Sequence, residues 1–356
     1  MKKLSKYIFY EFSKLFSILI LIVLILFHLV DYIEKSKIFM TNKVPLTIIA
    51  QWIFYKLFFT AYLLIPTIAL ISSALLIIRM NSKNEIIILR TSGFSIKKLV
   101  MIFLIIGTTL SITNFILGEV IVPYTEKKAD MIFYTKVKKI PYKYSKMDKI
   151  WLQANNCLCK IDFFLPSEKA LQGITILTFD KSGHIMKKEH IFLASYIDNN
   201  WLFLQVNRVS YNKKFPYKEF KYSETSSDFP FSINSLGFLR KKPQEMNFYE
   251  LYNYLKIMSK KGYSDPSLST GLIEKITLPL MSIIMIIIPI GLSIGNARRK
   301  NFMVDFIYSV IWGFIYWGTV IITHYFSSSG KILSIFTLLP FALFVIIGYY
   351  YINKIE

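Results

Sequence analysis

The chain has 356 residues, 54% of them apolar and 16% aromatic, with a mean hydropathy of +0.44 and a formal net charge of +21. That composition excludes an ordinary soluble enzyme and puts the bilayer first. The charge does not argue for nucleic acid, because the lysines are scattered with no basic helix or recognisable binding module, so anionic lipid is the natural partner.

Met1-Lys2-Lys3-Leu4-Ser5-Lys6 has the outline of a signal peptide, but the apolar run after it is long and lacks a small-residue cleavage site. It reads as an uncleaved first span, from about Leu15 to Val30. A short polar loop, Asp31 to Lys43, leads to a second span from about Trp52 to Ile78, with Lys56 near its outer end and Pro66 placed to kink it.

The connector Arg79 to Lys98 contains a helix of its own. Ser82 followed by Glu85 has the spacing of a capping box, Ile86-Ile87-Ile88-Leu89-Arg90 carries the helix forward, and Gly93 sits where a left-handed stop is expected. Its basic residues place it on the cytoplasmic side. An apolar helix there offers a docking point for a soluble partner through Glu85, Ile86, Leu89, Arg90 and Gly93, although a purely local capping role for Glu85 competes with that reading.

The third span runs from about Leu99 to Val122, with Asn114 and Glu119 in its outer half and Pro123 at its exit. From Tyr124 to Arg240 long apolar runs vanish, and short β-branched and aromatic segments alternate with turn signals such as Ala154-Asn155-Asn156, Asp180-Lys181-Ser182-Gly183 and Asp198-Asn199-Asn200. This predicts an exported antiparallel β domain, a sandwich or jelly roll, over residues 124–245. Cys157 and Cys159, two apart on one strand, are expected to remain unpaired thiols.

Residues 246–263 read as an amphipathic helix with Asn247 as N-cap and Phe248, Leu251, Tyr252, Leu255 and Met258 on one face. A fourth span, about Leu272 to Ile294, has Glu274 and Lys275 at its outer mouth and ends in Ala297-Arg298-Arg299-Lys300. The fifth, about Phe302 to Phe326, and the sixth, about Ile332 to Ile352, complete residues 264–356. The predicted fold is therefore an α-helical polytopic membrane protein of six spans, both termini cytoplasmic, with the all-β domain inserted between the third and fourth. Twelve basic residues on the inner segments against four on the short outer loops agree with that topology.

No catalytic constellation is evident. The four histidines have no metal-ligand spacing, and Gly330-Lys331 lacks the upstream glycine of a phosphate-cradling loop. No cofactor is implied, and any work done must draw on an ion gradient or a separate ATPase. His28, Asp31, Lys35, Lys37, Lys56, Glu119, Glu274 and Lys275 together describe a charged ring at the outer leaflet, suited to an amphiphile with a phosphate-bearing head.

Several segments resemble the LptF/LptG family of lipopolysaccharide-export permeases: Asn84 to Ser95 its cytoplasmic coupling helix, Leu29-Val30-Asp31-Tyr32-Ile33 the end of its first span, and Gly118 to Pro123 the exit of its third. Ile150 to Asn156 and Leu251 to Lys256 with Gly262 look more like the LptG than the LptF side of the family. The resemblance implies a half-transporter in the bacterial inner membrane, paired with an LptF-like paralogue and driven by a dimeric LptB-like ATPase. It would pass lipopolysaccharide to LptC/LptA-like periplasmic jelly-roll proteins. It also implies that Glu85 is the coupling acid and that Lys35 and Lys37 meet lipid A phosphate or core sugars, with His28 standing where a lysine is expected. A membrane-anchored envelope sensor or assembly scaffold is the alternative reading, disfavoured by the lack of any cytoplasmic effector domain. Ion-coupled lipid transport is disfavoured by the scarcity of mid-membrane charge.

Overall fold

A computed structural model describes residues 2–139, 150–154, 156–165, 170–180, 183–197, 200–211, 216–226, 243–260, 266–295 and 302–354. They divide into a helical unit and a β-containing unit.

In the helical unit, α1 (Lys2–Thr41) and α2 (Leu46–Ser82) are unbroken over 40 and 37 residues. At about 1.5 Å per residue α1 reaches about 60 Å, twice the hydrocarbon thickness, so it extends well beyond the bilayer or lies steeply tilted. The polar loop expected from Asp31 is instead helix as far as Thr41, and α2 passes through Pro66 without a break. A short helix, α3 (Glu85–Thr91), separates α2 from α4 (Ile96–Ile116). A π-helical turn at Leu117–Ile121 joins α4 to α5 (Val122–Ile132), followed by a second at Phe133–Val137. The helix therefore continues past Pro123, and the stretch after Tyr124 expected to begin the β domain is helical. Proline at the second position of α5 is compatible with this, since the π turn has already displaced the regular ladder that its missing N–H would interrupt.

After α6 (Phe248–Lys260), α7 (Pro266–Gly295) runs through Pro279 and Pro289, and α8 (Phe302–Ser328) follows. The sixth apolar segment forms a 3₁₀ turn at Ser334–Leu338 and then α9 (Leu339–Lys354). Among the described residues five helices are long and apolar enough to cross a membrane, with Ser334–Tyr350 a shorter apolar helical stretch. Two buried clusters hold the unit together. One joins Ile8 and Phe12 of α1, Ile77 and Met80 of α2, Ile86 of α3, Phe103 of α4 and Ile290 of α7. The other packs Leu70 of α2 and Met285 of α7 against Tyr316 of α8 and Phe344 of α9.

In the other unit, β1 (Ile150–Ala154), β2 (Cys157–Leu165), β3 (Ala170–Phe179), β4 (Ile185–Ile197), β5 (Asn200–Tyr211) and β6 (Pro216–Ser226) form an antiparallel sheet in sequence order. The expectation of a sandwich or jelly roll thus meets, among the described residues, a single meander. Its buried face carries Cys159, Ile161, Leu171, Ile174, Ile191, Trp201 and Val206. Arg208 on β5 donates to Glu189 on β4 at 2.8 Å and to Glu219 and Glu224 on β6 at 3.3 and 2.9 Å, tying three strands together. In α6 the buried positions are Leu251, Tyr254 and Met258, while Tyr252 is exposed, so Tyr254 takes the place expected for Tyr252.

Candidate functional site: a helix-lined groove and the connector at the other helix ends

The connector departs from the expected capping box. The Ser82 hydroxyl donates to the Arg79 carbonyl at 2.9 Å, closing α2 rather than opening a new helix. Asn84 caps α3 in a left-handed conformation, φ 57°, with no side-chain capping bond. The Glu85 carboxylate instead accepts the Tyr7 hydroxyl, 3.2 and 3.3 Å from its two oxygens, and so touches the start of α1. The stop is as expected: Gly93, at φ 73°, donates to the Arg90 carbonyl at 3.0 Å, and Phe94 to that of Leu89 at 2.9 Å, the paired bonds of a Schellman end.

The docking residues inferred from the sequence do not share one face. Ile86 is buried and Leu89 half-buried, both packed on the cluster of Ile8, Phe12 and Met80. Ile87 and Ile88 are the exposed apolar side chains, at 42% and 58%, next to an exposed Arg90.

The ring of charges resolves into pairs. Lys35 is bound to Asp31 one turn earlier on α1 and lies 5.2 Å from the Trp52 ring. Lys56 donates to Glu126 at 2.6 Å, and Lys275 to Glu119 at 3.1 Å; Glu119 also accepts the Phe248 backbone N–H. Glu274 stands 3.9 Å from the His324 Nδ1. Lys37 is exposed and has no partner among the described residues. His28 is buried beside an apolar hollow of about 430 Å³ between α1 and α2, and neither ring nitrogen has a partner there. Glu126 and His324 are thus neighbours that sequence reasoning did not place in the ring, whereas Glu119 was placed in it. Glu126 carried a signal, since it lies seven residues after Glu119, close to two helical turns, once the helix is allowed to continue past Pro123.

Between α2, α7 and α8 lies a groove of about 690 Å³, bounded also by Phe27 of α1. Its floor is apolar, including Leu70, Met281, Met285 and Phe314, and Glu274 and His324 bring polarity to it. A cavity of this size and character fits part of an amphiphile rather than a small polar metabolite.

A family model described as lipopolysaccharide export system permease LptF/LptG matches residues 6–354. Among curated proteins, the lipopolysaccharide export system permease protein LptG of Haemophilus influenzae is 22% identical over 294 residues, covering 81% of each chain.

Proposed function

The chain belongs to the LptF/LptG family of lipopolysaccharide export system permeases, and from that premise we propose that it is one half of an ATP-driven permease that draws lipopolysaccharide out of the inner membrane. It is a multi-pass inner-membrane transport subunit rather than a catalytic enzyme. In this reading it pairs with an LptF-like paralogue, both coupling helices seat on a dimeric LptB-like ATPase, and the lipid passes to LptC/LptA-like periplasmic proteins. Both termini and the connector face the cytoplasm, and the β domain faces the periplasm.

The observation that carries the reading is the apolar groove between α2, α7 and α8, in a chain whose connector exposes Ile87 and Ile88. The division of the connector into two faces supports a mechanism. Ile88 and Arg90 dock on the ATPase, while Ile86 and Leu89, wedged against α1, α2 and α4, pass its motion to the spans. ATP binding then changes the free energy of the lipid-filled groove, as it must if one event is to drive the other. Lys37 is available to meet the phosphates of the head, with Lys35, Lys56 and Lys275 held by carboxylates until the lipid competes for them.

Purification from detergent with mass-spectrometric identification of bound protein and lipid tests the reading. Lipopolysaccharide, an LptF-like paralogue and an ATPase subunit are the expected companions. Recovery of the chain with no lipopolysaccharide and no ATPase overturns it.

A further inference from the structure

The break between α2 and α3 is bridged by a third helix. Asn84, left-handed at φ 57°, turns the chain between α2 and α3, and the first turns of α1 reach both sides of that turn. On the α2 side, the Glu11 carboxylate pairs with the Arg79 guanidinium, Oε2 to Nη1 at 2.6 Å; on the α3 side, the Tyr7 hydroxyl donates to Glu85. Tyr7 and Glu11 are one helical turn apart, as are Ile8 and Phe12 beside them. Ile8 and Phe12 are buried in the cluster that holds Met80 of α2 and Ile86 of α3. Glu11 is the only acid in the first 30 residues, and it is turned inward onto Arg79, 12% exposed, rather than left on the solvated face.

α1 is also the stiffest of the long helices. Its 40 residues contain neither glycine nor proline, whereas among the described residues the other four helices long enough to cross a membrane each contain at least one. From Glu11 to Lys37 it runs unbroken for about 40 Å.

We propose that the first three turns of α1 act as a splint across the break at Asn84, with Glu11 and Arg79 as the positioning pair that fixes the splint to α2. Displacement of α3 then moves α1 and α2 as one body instead of being taken up at Asn84, and the unbroken α1 carries it to Lys35 and Lys37. The proposal rests on the ATP-driven reading above and adds the residues that keep the connector rigid with the spans. An ion pair whose arginine is 40% exposed adds little to stability, so what the pair supplies is a fixed angle between α2 and α3. The exposed Tyr7 hydroxyl is not required, because Ile8 and Phe12 already join α1 to Ile86 of α3.

The test uses the full-length chain in the complex isolated with its ATPase subunit, in lipid nanodiscs, with ATP hydrolysis and lipopolysaccharide release measured on one preparation. Glu11→Ala and Arg79→Ala are each expected to keep thermal stability, recovery of the ATPase subunit and ATP hydrolysis, while lipid released per ATP falls at least about fivefold. Exchanging the pair, Glu11→Arg with Arg79→Glu, is expected to bring the ratio back to within about twofold of the unsubstituted complex. A single variant that assembles and keeps the full ratio overturns the proposal, as does an exchanged pair that assembles without recovering it. Loss of stability or of the ATPase subunit in step with the lost release shows the pair to be merely structural, and overturns it too. The unsubstituted complex separates the two levels. If it hydrolyses ATP without releasing lipopolysaccharide, the export reading fails; if it releases the lipid and the single variants do so equally well per ATP, only the splint fails.

Discussion

The Lys275 Nζ lies 3.1 Å from the Glu119 Oε1, joining α7 to the π-helical turn that ends α4, and both side chains are largely withdrawn from solvent. The other oxygen of Glu119 accepts the Phe248 backbone N–H, so one carboxylate holds two residues, Phe248 and Lys275, that lie far from it in the sequence.

Removing Glu119 leaves a lysine ammonium without its counter-charge in a poorly solvated place. Glu119→Ala is expected to cost about 3–5 kcal/mol, whereas Glu119→Leu with Lys275→Met removes both charges and recovers most of that loss. A residue of about 1 kcal/mol remains, from the Phe248 N–H left without an acceptor. Thermal denaturation in detergent measures both, and equal losses for the single and double variants contradict the account.

Next to Glu119, Gly118 marks a close approach of helices. A Cβ there meets the Tyr62 ring at 2.4, 2.9 and 3.0 Å, and Tyr62 is itself buried. Gly118→Ala is expected to destabilise by about 1–3 kcal/mol, and Tyr62→Leu in the same chain to relieve it. Gly93→Ala is the contrasting case, since nothing lies within 4 Å of a Cβ there and only the left-handed φ of 73° is charged, at about 1–2 kcal/mol. Rescue of Gly93→Ala by any packing change would contradict the distinction.

The spans were legible because twenty consecutive apolar residues have few other uses, and the Gly93 stop because only a left-handed glycine suits that position. The ends of helices were not. Asp31 to Lys43 read as a loop from its polarity, yet Asp31 and Lys35, four apart, were a helical pair. The pairings of Lys56 with Glu126 and Lys275 with Glu119 join residues on different helices, and nothing local in a sequence reports such contacts. The inward turn of Ile86 escaped for a related reason. A run of three isoleucines is apolar on every side, so its pattern cannot say which member faces the core.

In the β unit, Cys159 is fully buried, and burial, with Cys157 nearby, pushes its thiol up to about 12. Thiolate is the reactive form, so raising the pH from 7 to 9 leaves Cys159 protonated and unlabelled by maleimide. In a Cys157→Ser chain, labelling is expected only after denaturation. Cys157, half-buried with its sulfur 3.7 Å from the Thr178 Oγ1, is expected to react faster in a Cys159→Ser chain. Native labelling of Cys159 that climbs steadily across that pH window contradicts the burial.

If α3 docks on a partner ATPase as proposed, its two faces separate folding from coupling. Ile86→Ser removes a buried side chain and is expected to cost about 2–5 kcal/mol in thermal stability. Ile88→Ser, at a position 58% exposed, is expected to leave stability within about 0.5 kcal/mol and to reduce recovery of the ATPase subunit during purification. Glu85 discriminates further, because its contact in the folded chain is the exposed Tyr7 hydroxyl. If Glu85 serves the partner, Glu85→Ala lowers ATPase recovery and ATP-dependent lipid release while costing less than about 1 kcal/mol of stability, and Tyr7→Phe leaves both activities intact. If the contact with Tyr7 is the whole role of Glu85, the two substitutions match in every readout, and the docking face must be sought elsewhere on the chain.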